Sequence, residues 1–210
     1  MVNGNKAVPP AVLKRFTHYY ASVQGMRANE VEWVSSNEIA DALGLTPSTV
    51  RQDLSYLDFA GVSKRGYETD GLETALARAL GADRAWHMLI VGAGDLGRAL
   101  ALHQEFKRRG FVIRAVCDSD VFKTGLKLGE LEVKRMHHVP DLVKEHNIDI
   151  GVIAVPAVAA QEVAELLVDA GVKGLLNLSP VHVNVPDGIA VTDARILASL
   201  QELTHALMGK

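Results

Sequence analysis

The run Met88-Leu-Ile-Val-Gly-Ala-Gly-Asp-Leu-Gly97 constrains this chain more than any other stretch of its length. The apolar residues predict a strand ending on glycine. The helical pattern from Leu96 to Arg109, stopped by Gly110, predicts the helix that follows. Glycines spaced as G-x-G-x-x-G suit a dinucleotide-binding strand–turn–helix unit. Gly92 permits the tight turn, Gly94 lets a pyrophosphate approach the backbone, and Gly97 allows close helix–strand packing. The helix N-terminus adds N–H donors and a positive dipole end for phosphate. The whole loop, Gly92, Ala93, Gly94, Asp95, Leu96 and Gly97, is therefore a candidate cofactor-binding segment.

Further strand signals, at Val112–Cys117, Ile148–Val155 and Leu175–Leu178, alternate with helical patterns. Such alternation predicts βαβ units and a doubly wound parallel sheet, an α/β fold. The second strand ends at Asp118, 21 residues after Gly97. An acid at this spacing accepts hydrogen bonds from adenosine ribose hydroxyls and repels a 2′-phosphate, favouring NAD(H) over NADP(H). Lys123, a further candidate contact, and Lys127 lie just downstream and leave that preference open. Ligands in open parallel sheets sit at the carboxyl ends of strands. Two such ends read Val155-Pro156-Ala157 and Leu178-Ser179-Pro180. A small apolar floor favours a neutral dihydronicotinamide over the charged oxidised ring, because burying an unpaired charge is costly.

The chain changes character near Gly81–Arg84. Before that point apolar residues recur at helical spacing. A first helix is expected after Pro9-Pro10 to about Val23, then a loop over Met26–Trp33. Ser35 and Glu38 form a capping box opening a helix to about Leu43, which Gly44 ends. Thr46 caps the next helix, with Pro47 at its first position and an end near Phe59. This is a helix-turn-helix pattern. Val50, Leu54 and Leu57 form an inward stripe. Ser48, Gln52 and Ser55, flanked by Thr49, Arg51 and Tyr56, form the opposite face and suit base edges and phosphates. Gly61–Tyr67, with Lys64 and Arg65, is a candidate β-hairpin wing. Lys6, Lys14, Arg15 and Arg27 all precede the first acid, Glu30, and Lys14 and Arg15 join the candidate DNA contacts. An ordinary three-helix bundle with a solvated face shares this pattern, so spacing alone leaves both readings open.

Hydrophobic residues make up 48% of the 210 and charged residues 22%, enough to bury a core. No apolar run reaches the roughly 18 residues of a membrane span. Met1–Pro10 has no apolar segment of the secretory kind. The single cysteine, Cys117, excludes an internal disulfide framework and a cysteine-rich zinc site, which points to a reducing cytoplasm. The net charge of −3 argues for a local rather than a general affinity for nucleic acid.

A dehydrogenase needs a general acid or base beside its cofactor. His103, His137, His138, His146 and His182 are scattered, His182 lying nearest the expected cleft, and none has metal-ligand spacing. Nothing cationic beside Cys117 in sequence would activate its thiol. No catalytic or metal residue is expected. A small NAD-dependent oxidoreductase and a nucleotide- or CoA-binding regulatory protein stand as alternative readings. Ile196, Leu200, Leu203 and Leu207 form an apolar seam on a terminal helix. It either docks on its own domain or joins two protomers. The expected organisation is a winged-helix domain at 1–82, a Rossmann domain at 83–192 and a dimerisation helix at 193–210.

Taken together, these motifs resemble the Rex redox-sensing transcriptional repressors over nearly the whole chain. The resemblance rests on Ser35-Ser36-x-Glu38-Ile-Ala, Leu43-Gly44 and Val50-Arg51-x-Asp53-Leu-Ser-Tyr56 in the first half. In the second half it rests on the glycine loop, Asp118-x-Asp120, Lys123-x-Gly125, Val155-Pro-Ala-x-x-Ala-Gln161, Ala170-Gly-Val-Lys-Gly174 and Asn177-x-x-Pro180. It implies a homodimer with winged-helix heads, swapped terminal helices and a palindromic operator released by NADH, with NAD+ competing weakly. It implies Arg51 as a DNA contact and Gly92, Gly94, Gly97 and Asp118 as dinucleotide contacts. Ala157, Asn177, Ser179 and Pro180 become neighbours of the nicotinamide. The chain departs from the family pattern at Gln52, at Ser63-Lys-Arg-Gly-Tyr67, at Asp95 and at Arg195-Ile196.

Overall fold

The computed structural model describes residues 7–209, so Lys6 lies outside the described residues. Contacts divide the chain into two compact units, Met1–Arg84 and Ala85–Lys210.

The first unit is built on α1 (Pro10–Ala28), β1 (Trp33–Val34), α2 (Ser36–Leu43), α3 (Pro47–Leu54), β2 (Tyr67–Glu68) and α4 (Thr69–Leu80). In α1, Val12, Phe16, Tyr19 and Val23 recur on one face and are buried with Ile39, Val50, Leu54, Leu72 and Leu76. The helix runs past Val23 into the expected loop. Gly25 meets no neighbour within 4 Å and weakens the helix without ending it. Met26 still packs on the core. Ser35 and Glu38 make the reciprocal capping box, and Gly44 closes α2 in the left-handed region at φ +64. Thr46 caps α3 by accepting from the Thr49 amide. This helix stops at Leu54, short of the expected Phe59. Tyr56 and Leu57 turn back onto Asp53 and Leu54, and Phe59 leaves to pack against Tyr67, ring centroids 6.5 Å apart. β1 and β2 pair antiparallel, and Val62 bridges Gly66 to shape the hairpin between α3 and β2.

The second unit opens with β3 (Trp86–Val91), α5 (Asp95–Leu102), α6 (Gln104–Arg108) and β4 (Phe111–Asp118). It continues with β5 (Lys127–Leu128), β6 (Leu131–Arg135), a 3-10 turn at Met136–His138 and α7 (Val139–Glu145). β7 (Ile150–Ile153), α8 (Ala157–Ala170), β8 (Gly174–Asn177), β9 (Ala190–Asp193) and α9 (Ile196–Met208) complete it. The seven strands lie in the order β5-β6-β4-β3-β7-β8-β9. All neighbours are parallel except β5 with β6. The chain goes outward one way from β3 through β4 and β6, then returns to the other side of β3 with β7. That reversal leaves a crevice beyond the carboxyl ends of β3 and β7. The single helix expected over Leu96–Arg109 is two. His103 takes an extended conformation and its ring caps α6 by accepting from the Glu105 amide.

Candidate functional site

The crevice at the strand reversal is about 970 Å³, and Gly92, Gly94, Asp95, Leu96, Asp118, Lys123, Val155 and Pro156 line it. The three glycines differ in what surrounds them. Gly92 has φ +107, and a Cβ there would lie 2.2 Å from the Ala154 carbonyl oxygen. A Cβ on Gly97 would lie 1.8 Å from the Gly92 oxygen. These two glycines serve the protein's own packing. Gly94 meets nothing within 4 Å, and it is the N-cap of α5. Its open side is thus a backbone surface at a helix N-terminus, with room for an anion.

Asp118, at the end of β4, is nearly buried. One carboxylate oxygen accepts from the Ala93 amide at 2.7 Å and from Lys123 Nζ at 3.1 Å. The other accepts from the Asp120 amide at 2.8 Å. Burial alone would raise its pKa, but these donors and the Lys123 charge hold it below the usual carboxylate range. Ser119 and Asp120 also line the crevice. Asp95 is fully exposed and paired with Arg98 at 2.8 Å.

Other expected cofactor residues stand apart from the crevice lining. Ala93 is buried. Ala157 begins α8. Asn177 and Ser179 are buried at the end of β8, where Asn177 Oδ1 accepts from the Ser179 hydroxyl at 2.6 Å and from its amide at 3.0 Å. Asn177 Nδ2 donates to Asp193 Oδ1 at 2.7 Å. Asp193 also faces His182 at 3.2 Å and Arg195 at 3.1 Å. Pro180 is exposed. The crevice lining keeps the apolar Val155 and Pro156, while Asn177 and Ser179, outside it, satisfy one another's polar atoms.

In the first unit, Ser48, Arg51, Gln52 and Ser55 are exposed on α3, and Thr49 and Tyr56 are half-buried. Arg51 Nη1 donates to Ser36 Oγ at 3.0 Å. A recess of about 380 Å³ separates α2 and α3 from the wing, bounded by Ser36, Arg51, Lys64 and Arg65. Lys14 is exposed. Arg15, a candidate DNA contact, is half-buried and engaged within the head. Its guanidinium grips both carboxylate oxygens of Asp53, and Tyr19 Oη donates to the same carboxylate at 2.6 Å.

Residues 7–55 match the family described as putative DNA-binding protein N-terminus, and residues 83–181 match the CoA binding domain. The redox-sensing transcriptional repressor Rex of Desulforamulus reducens is 38% identical over 203 residues, 97% of each chain. The crystal structure of RSP with β-NAD+ and operator DNA aligns with a TM-score of 0.92 at 32% identity, covering 96% of this chain and 93% of that one. RSP with β-NADH aligns at 0.86 and 33% identity, covering 96% and 95%. The chain belongs to the Rex family of redox-sensing transcriptional repressors.

As a Rex-family protein the chain is a regulator and not an enzyme. Several of its histidines have structural partners. His103 caps α6, and the rings of His137 and His138 lie 4.0 Å apart. The His146 carbonyl meets the His87 ring at 2.9 Å. Burial, then the Asp118 charge, pushes the Cys117 thiol up to about 12. Among the described residues no cluster of His, Cys, Asp and Glu has the makings of a metal site, and no helix is long and apolar enough to cross a membrane.

Asp53, part of the Rex-family motif, has a structural role that helical spacing alone does not reveal. It lies three positions after Val50 on the same inward stripe. An acid on a buried stripe is a signal for a cationic partner. Burial raises its pKa, but Arg15 and Tyr19 outweigh that and hold it below the usual range. Trp33 and Glu32 meet Arg65 beside the wing, and nothing local in sequence links them to it.

Proposed function

We propose that this Rex-family chain acts in the cytoplasm as a homodimer that binds a palindromic operator and is released by NADH, NAD+ competing weakly. The proposed division is a DNA-binding head at 1–82, a sensor at 83–192 and a dimerisation helix at 193–210. Ser48, Thr49, Arg51, Gln52, Ser55 and Tyr56 would face the major groove, and Lys14, Lys64 and Arg65 the phosphates.

The observation that carries the sensor assignment is Gly94, whose open side stands at the N-terminus of α5 between two glycines closed by the protein itself. A pyrophosphate fits that surface. RSP, crystallised with β-NAD+ and with β-NADH, supports the choice of ligand. Ile196, Leu200, Leu203 and Leu207 of α9 are each at least 52% exposed, a seam that supports pairing with a second copy.

Regulation then follows from linkage. A ligand that prefers the form with poor operator affinity weakens DNA binding, and operator weakens that ligand by the same factor, typically about 5–150-fold. Fluorescence anisotropy on a palindromic duplex at fixed salt tests this, with NADH and then NAD+ titrated. Release by NADH at far lower concentration than by NAD+ is expected. Indifference to both nucleotides would refute the sensor assignment.

The match of residues 83–181 to the CoA binding domain favours one second reading, CoA as the ligand. Asp118 and Asp120, both lining the crevice, disfavour the 3′-phosphate that CoA carries. Competition between CoA and NADH, followed by nicotinamide fluorescence, separates the two.

A further inference from the structure

The wing carries two cations that the structure treats differently. Lys64 is exposed, in the left-handed region at φ +64. Arg65 is held. Its guanidinium carbon lies over the Trp33 ring, 3.9 Å from the centroid. Arg65 Nη2 is 3.8 Å from Glu32 Oε1, and the Trp33 indole N–H donates to that same oxygen at 3.1 Å. Trp33 is itself fixed in β1, opposite Glu68 of β2. Behind the wing, Gly66 is pressed so closely on Val34 that a Cβ would lie 2.4 Å from its carbonyl oxygen. Even so, the Arg65 side chain remains 58% exposed and bounds the recess that Arg51 also lines.

We propose that Trp33 is the positioning residue of Arg65, holding this wing cation ready for a DNA phosphate, and that Glu32 competes with the phosphate for it. This rests on the operator-binding reading given above. An arginine over an aromatic face keeps N–H donors available at its edge. Its side chain is already ordered before DNA arrives, so less rotamer freedom is lost on binding. The Glu32 contact is longer than a direct hydrogen bond. A phosphate oxygen, closer and equally charged, displaces it. Trp33 thus contributes to affinity only through Arg65, and Glu32 competes with DNA for the same guanidinium.

The test is a double-mutant cycle on a duplex selected from a random pool by the wild-type protein, with affinity measured across a salt series. R65A weakens binding and lowers the salt slope by about 1, one phosphate contact fewer. W33L keeps apolar bulk in β1 but removes the ring face. It weakens binding about 2- to 10-fold with the slope unchanged, because the charge is still present. W33F retains a ring and binds nearly as wild type. E32Q tightens binding by about 1.5- to 5-fold. In the R65A background W33L has no further effect. Equal loss from W33L with and without Arg65 overturns the proposal, as does an R65A protein with wild-type affinity and slope. If the wild-type chain selects no duplex, the operator-binding reading falls and this proposal with it. Thermal melts of each variant confirm that the head is folded.

Discussion

The Asp118 carboxylate accepts the Ala93 amide proton at 2.7 Å and so ties the end of β4 to the glycine loop after β3. The same group also holds the Asp120 amide and Lys123 Nζ. A carboxylate has about four acceptor sites, and three are taken, which leaves one for a ligand. D118N would loosen the loop as well as lose the charge. Hydrogen bonds to a charged group are worth about 1.5–3 kcal/mol. NADH affinity, measured by fluorescence titration, should fall about 10- to 100-fold.

The acid limb of stability carries the same interaction. Asp118 titrates lower in the folded protein than its ordinary value, so its contribution is complete above about pH 3.9 and is lost as pH falls through the lower folded value. Urea midpoints at pH 7 and pH 3.5 should differ more for wild type than for D118N. Equal differences would assign Asp118 no such role.

Gly94 and Gly97 should respond oppositely to alanine. Gly94 has φ −75 and open space, so G94A should fold with an unchanged melting temperature yet lose NADH to the new methyl group. G97A places a Cβ 1.8 Å from the Gly92 oxygen and should lower the melting temperature of the second unit. Calorimetry with and without NADH separates the two effects.

Arg15 and Asp53 form an ion pair between α1 and α3 in which Asp53 is buried and Arg15 is 32% exposed. Removing Asp53 costs about 1.5–3 kcal/mol, the worth of a hydrogen bond to a charged group, because the partly exposed Arg15 keeps some access to water. D53A should therefore destabilise the head by that order in urea unfolding. R15M with D53L, which removes both charges, should recover most of the loss. If the double variant is no better than D53A, the residual Arg15 charge is not the cause.

Cys117 should be inert. It is fully buried, and its thiol is pushed up to about 12. Because the thiolate is the reactive form, a thiol reagent at pH 8 should label it only after denaturant is added. Peroxide should leave operator affinity unchanged. Rapid labelling of the native protein would point to thiol chemistry in redox sensing.

Much of the fold was legible because its signals are local. The capping box of Ser35 and Glu38, the glycine stop at Gly44, the Thr46 cap and the G-x-G-x-x-G turn each depend on residues within a few positions. Helix ends were less legible. α1 outran Gly25 because Met26 had a core to pack on, and α3 ended early because Phe59 found Tyr67. Those outcomes depend on neighbours distant in the chain.

By itself, the sequence determined the four central strands β3, β4, β7 and β8, the glycine positions and the buried faces of the helices, whereas the short outer strands β5, β6 and β9 carry no comparable apolar run. The features it determined follow from backbone sterics and apolar periodicity acting over short spans. The tertiary structure alone decided which cations are free and which are held. Arg15 is committed to Asp53, 38 positions away, and Arg65 lies over Trp33 from the far side of a helix-turn-helix. Asp118 reaches back 25 positions to Ala93. Such pairings exist only after packing brings distant segments together, because charge and hydrogen bonding act over a few ångströms in space and are indifferent to separation along the chain.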